Sequence, residues 1–367
     1  MQPLISVILA LSLGQTAAPA STGGIAGRVT AAETNAPIAG AHILLFPARP
    51  PRARNQIPIG PPPQTTTDQD GRFAFDGIEP GEYRINAQKS GFAPMAMGMP
   101  PMTPPPVTVV AGQQVTVDLH LLRGGVISGR VLDPKGEPLT DAQVTALRRM
   151  PAPRNPSGQN RLLPAPMMGP QQTNDLGEFR ISGLAPGDYV VAVMPRGFAA
   201  FGGPGVVPQR SGGASHTTLV PTFYPGTVDS AAAQMVTVAA GTEVGNISFT
   251  AQSAPGYRVS GIVVDESGAP IADAMVMLNL DPRNGPLMFG TMGSGRSDAN
   301  GRFAINDVPA GSYRAGASVI MRSGSSGGGG FVSFSSVRGG RVQPTEVVVT
   351  DSDVKGVRVV AERPIQQ

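Results

Sequence analysis

The sequence has no cysteine, no tryptophan, only three histidines and few charges, with 14% of its 367 residues Asp, Glu, Lys or Arg. Without thiols, disulfides, zinc–thiolate sites and cysteine nucleophiles are excluded. The histidines, His42, His120 and His216, begin no His-x-x-Glu or His-Glu-x-x-His pattern. Zinc peptidase chemistry therefore has no recognisable ligand set. No spacing sets up a Ser-His-acid triad. The reading is that of a non-enzyme, with no cofactor. Net charge is only +3, and the arginine excess sits in proline-rich stretches (Arg49, Arg52, Arg54; Arg148, Arg149, Arg154). No basic stripe is interleaved with aromatics, so nucleic acid is not an expected partner. Long helices are disfavoured as well. Glycine (48) and proline (38) are abundant, and they are the two poorest helix formers. Short strands joined by many turns reconcile that composition with a 40% hydrophobic content.

One apolar run, Leu4 to Leu13, opens the chain and is followed by Ala18-Pro19-Ala20. A run of that length before an Ala-x-Ala site reads as an export signal. It is too short to span a bilayer. No lysine or arginine precedes it. Residues 1–20 are expected to be a signal peptide, and the protein to be periplasmic or at the surface of a bacterium. No transmembrane segment is expected elsewhere.

What the sequence has is a repeat. Gly24-Ile25-Ala26-Gly27-Arg28-Val29 opens the first unit. Gly125-Val126-Ile127-Ser128-Gly129-Arg130-Val131 opens the second, and Tyr257-Arg258-Val259-Ser260-Gly261-Ile262-Val263 the third. Each alternates apolar with small or polar residues, the period of a half-buried strand. A proline step follows (Pro37, Pro138, Pro270), then an apolar run that returns as a second strand. The proline belongs to the turn because it fixes φ and lacks a donor.

The second half of each unit is more constant. Asp68-Gln69-Asp70-Gly71-Arg72-Phe73 leads to Pro80-Gly81-Glu82-Tyr83. Asn174-Asp175-Leu176-Gly177-Glu178-Phe179 leads to Pro186-Gly187-Asp188-Tyr189. Asp298-Ala299-Asn300-Gly301-Arg302-Phe303 leads to Pro309-Ala310-Gly311-Ser312-Tyr313. Phe and Tyr are ten residues apart each time. An Asp or Asn three residues before Gly caps a turn in which Gly takes positive φ. Phe73, Phe179 and Phe303 are read as core. Tyr83, Tyr189 and Tyr313 bury their rings and offer their hydroxyls to backbone at a corner. Gly71, Gly81, Gly177, Gly187, Gly301 and Gly311 are read as turn residues. A calcium loop at Asp68 and Asp70 is rejected, because the matching position in the second unit is Leu176. Closing strands follow, so each unit carries about seven strands, as in a two-sheet sandwich of about 100 residues.

Taken together, Gly-x-Val, Gly-x-Pro, Asp-x-x-Gly-x-Phe and Pro-Gly-x-Tyr resemble the carboxypeptidase regulatory-like domains. The resemblance recurs three times and covers nearly the whole chain after residue 20. It implies an all-β fold of three tandem, seven-stranded, transthyretin-like or immunoglobulin-like sandwiches. The expected divisions are 21–123, 124–253 and 254–367, the second with Gly/Pro-rich insertions. Such domains are generally binding or spacing modules, and are grouped by fold with starch-binding-like modules. The resemblance thus implies an exported binding or scaffolding protein of the cell envelope, with a polysaccharide or an envelope protein as partner. An accessory array serving a peptidase or an outer-membrane uptake system in trans is one alternative, and copper handling by a methionine-rich loop is another. Oligomeric state is left open.

Two further features stand out. Phe223, Tyr224 and Tyr257 are the aromatics expected to be exposed for binding. Met95, Met97, Met99 and Met102 place four thioethers within eight residues, a donor type suited to Cu(I). Long proline-rich loops are expected after the second strand of each unit: Pro47 to Gln64, Arg148 to Gln172, and Asp281 to Gly295.

Overall fold

The computed structural model describes residues 22–48, 62–94, 105–150, 161–165, 171–194, 217–281, 290–319 and 344–361. The expected signal segment and the methionine run lie outside the described residues. Those residues form strands and turns without helix. They fall into two compact units, one within Met1–Lys89 and Met95–Leu121, the other within Ser90–Pro94 and Leu122–Gln367.

The first unit contains β1 (Gly23–Ala31), β2 (His42–Pro47), β3 (Gln64–Thr66), β4 (Arg72–Ile78), β5 (Gly81–Gln88), β6 (Val107–Val109) and β7 (Gln114–Leu121). They make a three-stranded sheet, β4-β1-β7, and a four-stranded sheet, β3-β2-β5-β6. Strand β1 runs antiparallel to β4 and parallel to β7. Ile25, Val29, Phe73 and Phe75 from one sheet, and Ile43, Leu45, Ile85 and Ala87 from the other, are buried. Alternation along each strand puts these on one face, as the sequence period requires.

The second unit holds two more copies. The earlier consists of β8 (Gly125–Leu132), β9 (Gln143–Met150), β10 (Arg161–Pro164), β11 (Gln171–Gln172), β12 (Glu178–Leu184), β13 (Gly187–Met194), β14 (Thr217–Leu219), β15 (Thr222–Phe223), β16 (Met235–Val238) and β17 (Glu243–Thr250). The later consists of β18 (Ser253–Val264), β19 (Ala274–Leu280), β20 (Thr291–Arg296), β21 (Arg302–Pro309), β22 (Gly311–Val319), β23 (Thr345–Val349) and β24 (Val354–Val360). Sheets β12-β8-β17 and β10-β9-β13-β15 repeat the first pattern, as do β21-β18-β24 and β20-β19-β22-β23. The expected all-β sandwich architecture is therefore present. Two expected loops are shorter than read. Within Arg148 to Gln172, β10 pairs with β9 and buries Leu162, and β20 begins at Thr291.

The Gly-x-Val opening has a steric cause. A Cβ on Gly27, Gly129 or Gly261 would lie 1.8, 1.9 and 1.8 Å from the carbonyl oxygens of Val117, Ile247 and Val357. Those carbonyls belong to the parallel partner strand. Glycine lets the two backbones meet where any side chain would separate them.

A hydroxyl fixes the proline turn to the second strand in every copy. Thr67 Oγ1 donates to the Ile38 carbonyl (2.6 Å) and accepts from the Ala41 N–H (2.8 Å). Thr173 does the same with Leu139 and Ala142, and Ser297 with Ile271 and Ala274. All three hydroxyl residues are buried. Each satisfies two backbone groups that would otherwise be sealed without partners.

In the second unit, β14 and β15 lie on either side of a splice. Strand β14 pairs antiparallel with Ser253–Pro255, the leading end of β18. Three residues after β14 begins to turn away, β15 pairs with β13. Thr222, fully buried, accepts from the Gln252 N–H (2.9 Å) and donates to the Val220 carbonyl (2.9 Å). One short segment is thus hydrogen-bonded into the sheets of both copies. A single buried cluster runs from Leu147, Val190, Ala192, Met194 and Phe223 into Val259, Val263, Phe303 and Tyr313 of the last copy. A similar pairing opens this unit: the Ala93 N–H donates to the Leu122 carbonyl (2.8 Å), and the Gly124 N–H to that of Gly91 (3.0 Å).

Candidate functional site

The constant residues of the repeat build turns and corners. Asp68 Oδ1 accepts from the N–H groups of Asp70 (2.9 Å) and Arg72 (2.7 Å). Asn174 serves Leu176 and Glu178, and Asp298 serves Asn300 and Arg302, in the same geometry. Gly71, Gly177 and Gly301 take φ of 74°, 73° and 74°, where a Cβ is strained. Phe73, Phe179 and Phe303 are buried.

The tyrosines donate to the carbonyl four residues upstream. Tyr83 reaches Glu79 (2.9 Å), Tyr313 reaches Pro309 (2.8 Å), and Tyr189 reaches Ala185. Gly311 leaves room for the Tyr313 side chain, which a Cβ there would approach to 3.0 Å, whereas a Cβ on Gly81 would make an ordinary contact with Tyr83 at 3.5 Å. At Gly187 the neighbour is Arg148, whose guanidinium lies 5.1 Å from the Tyr189 ring centroid and donates to the Pro186 carbonyl (2.7 Å). Burial pushes all three phenols above the ordinary tyrosine range, and Arg148 partly offsets this at Tyr189. Tyr83, less buried than the others, is also raised by the nearby Glu79 carboxylate.

The three aromatics expected to be exposed are not a surface platform. Phe223 is 2% exposed and lies in the cluster that joins the last two copies. That expectation is corrected: β15 pairs Phe223 with Ala192, which turns its ring onto the apolar outer face of β13. Tyr224 is half-buried and meets Phe249 edge-on at 6.0 Å. Tyr257 is half-buried against the last copy's core. The structure brings Phe223 and Tyr257 into one cluster and sends Tyr224 to another. The signal for this was present in β13 itself. Val190-Val191-Ala192-Val193-Met194 has no polar position, and a strand apolar on both faces must be covered on both.

Met95, Met97, Met99 and Met102 lie outside the described residues. Among the described residues, no group of three or more His, Asp or Glu is gathered as a metal site. His42 is exposed on β2. His120 Nδ1 is 2.8 Å from the Thr30 hydroxyl on the neighbouring β1. Exposed Glu243 accepts from Ser128 (2.8 Å) and from Arg180 (3.3 Å). The Ser128 bond, then Arg180, holds its carboxyl below the ordinary glutamate range. Both are surface contacts across the strands of a single sheet. No helix among the described residues is long and apolar enough to cross a membrane.

Comparison with solved structures finds only distant likeness. The Bacillus anthracis TIE protein is 13% identical over 93% of this chain and 50% of its own, with a TM-score of 0.22. This chain thus spans about half of that protein. A minor pilin of Streptococcus agalactiae is 14% identical over 64% of this chain and 97% of its own (TM-score 0.30). The major pilin subunit of Bacillus cereus is 12% identical over 93% and 99% (TM-score 0.21). No curated protein matches the chain. The family model of the carboxypeptidase regulatory-like domain matches residues 24–122, 126–219 and 258–361. Those spans contain the capped turns, the buried hydroxyls of Thr67, Thr173 and Ser297 and the tyrosine corners of all three copies, and the chain belongs to the carboxypeptidase regulatory-like domain family.

Proposed function

We propose that this chain is a non-catalytic, exported scaffold of the cell envelope, which presents variable loops on tandem sandwiches, the last two of them joined into one stiff pair. The splice carries this reading. Thr217–Phe223 is hydrogen-bonded into two successive copies, and a continuous apolar cluster backs it. Such a joint suppresses the relative motion expected of domains linked only by a tether. The constant polar residues of the repeat support the same reading, because they cap turns and close corners. Export is supported by the apolar run Leu4 to Leu13 and the Ala18–Ala20 site. The test is fractionation of cells that produce the full chain with a C-terminal tag, followed by crosslinking of intact envelopes. Recovery outside the cytoplasm with a specific envelope partner is expected. Retention in the cytoplasm overturns the reading. A peptidase or an uptake barrel as the recovered partner would make the chain an accessory array acting in trans.

A further inference from the structure

In every copy the first and last strands are neighbours and run parallel: β1 with β7, β8 with β17, and β18 with β24. The chain therefore enters this pair at one end and leaves it at the other. In the first copy the ladder runs without interruption through eight residue pairs, from Gly24–Gln114 to Ala31–Leu121. The later copies have six and five pairs, each ladder broken once by a bulge, so the first copy shows the arrangement most simply. Both ends of the ladder are closed. The Gly24 N–H donates to the Gln113 carbonyl and the Ala32 N–H to that of Leu121, both at 2.9 Å. In the second copy the Val126 N–H donates to the Thr242 carbonyl (2.9 Å) and the Ala251 N–H to that of Leu132 (2.8 Å). In the third, the Arg258 N–H donates to the Asp353 carboxylate (2.9 Å) and the Ala361 N–H to the Val264 carbonyl (2.9 Å).

Side chains tie the same two strands. Thr30 meets His120 across β1 and β7, and Ser128 donates to Glu243 across β8 and β17, both at 2.8 Å. The last strand of each copy also buries an apolar pair: Leu119 and Leu121, Ile247 and Phe249, Val357 and Val359. Connections between copies are short. Three residues separate β7 from β8, and two separate β17 from β18. The longest intervals between strands, Pro47 to Gln64, Gln88 to Val107, Met194 to Thr217 and Val319 to Thr345, fall inside copies. A pull along the chain meets the pair of first and last strands before it reaches any of them.

We propose that each copy is a tension-resisting element, in which the first and last strands form a clamp against force along the chain. Tension applied through the flanking chain draws β1 and β7 past each other along their length. Every bond of the ladder is then loaded at once, and none yields before the rest. Pulled apart from a single end, the same strands would separate one pair at a time. The clamp has to break before tension reaches a loop between the inner strands, so the loops keep their arrangement under load. Forced unfolding is governed by the unfolding barrier rather than by equilibrium stability. The direction of loading therefore changes the resistance even where the stability is the same. This inference extends the scaffold reading to force. Its test uses purified protein, so its failure would leave the question of location and partner untouched.

The chain has no cysteine, so a pair of introduced cysteines in the full chain gives unique attachment points for the handles of optical tweezers. Thr22→Cys with Arg123→Cys loads β1 and β7 along their length. Thr22→Cys with Gln113→Cys loads the same two strands from one end. All three positions are exposed, and both proteins keep the whole ladder, so the ratio of forces reads the direction of loading. At one pulling speed, the first pair is expected to unfold at a force at least about twofold higher, because the parallel ladder shares the load instead of meeting it pair by pair. Equal forces, or a lower force along the strands, overturn the proposal. If either protein fails to fold, the comparison is made on the second copy. There Arg123→Cys with Gln252→Cys pulls along the strands, and Arg123→Cys with Thr242→Cys pulls from one end, again at exposed positions. The same ratio supports or overturns the clamp.

Discussion

Tyr313 donates its hydroxyl hydrogen to the carbonyl of Pro309, four residues upstream, at 2.8 Å, with its ring almost wholly buried. Tyr313→Phe keeps the ring and leaves that carbonyl without its donor. An unmade buried bond costs about 1–3 kcal/mol. Tyr83, whose ring is half-buried, closes the same corner nearer to water, so Tyr83→Phe should cost less. Urea unfolding of both variants checks the order. A larger loss for Tyr83→Phe would show that the corner bond does not depend on burial.

The same corners predict alkaline sensitivity. Burial raises the folded-state pKa of Tyr189 and Tyr313 above the ordinary tyrosine value. The folded protein therefore keeps protons that the unfolded chain releases. Their contribution is complete below a pH of about 10 and is lost as pH rises beyond it. Thermal unfolding between neutral and strongly alkaline pH should show this decline. Tyr189→Phe and Tyr313→Phe together should flatten it.

Gly129→Ala would place a Cβ 1.9 Å from the Ile247 carbonyl oxygen, with the Ile247 backbone carbon at 2.6 Å. Neither atom is the end of a flexible side chain. The parallel pair β8–β17 must open, so the loss should exceed about 3 kcal/mol. Limited proteolysis should then cut within the second copy under conditions that leave the parent intact. An unchanged digestion pattern would remove the steric account of the Gly-x-Val motif.

Thr222→Val removes the hydroxyl that links Val220 to Gln252 while keeping side-chain shape. The Gln252 N–H then loses its acceptor at the joint. Calorimetry should resolve two transitions where the second and third copies of the parent melt together, with a drop of about 1–3 kcal/mol at the joint. Melting of the variant as one transition at the parent's temperature would show that the apolar cluster alone couples the copies.

The repeat and its local devices were legible in the sequence because they depend on near neighbours. An Asp or Asn side chain capping a turn two and four residues on, a glycine at positive φ and a tyrosine bonding four residues back are all short-range relations. The buried hydroxyls of Thr67, Thr173 and Ser297 were less legible, since their partners lie 23 to 34 residues away.

The sequence by itself determined the all-β class, the threefold pattern, and the residues of each turn and corner, because strand period and turn chemistry are local properties of the chain. Only the tertiary structure decided which face of each sheet is covered, and by what. That depends on segments far apart in sequence meeting across a sheet. Phe223 reads as an exposed aromatic until β15 lays it beside Ala192.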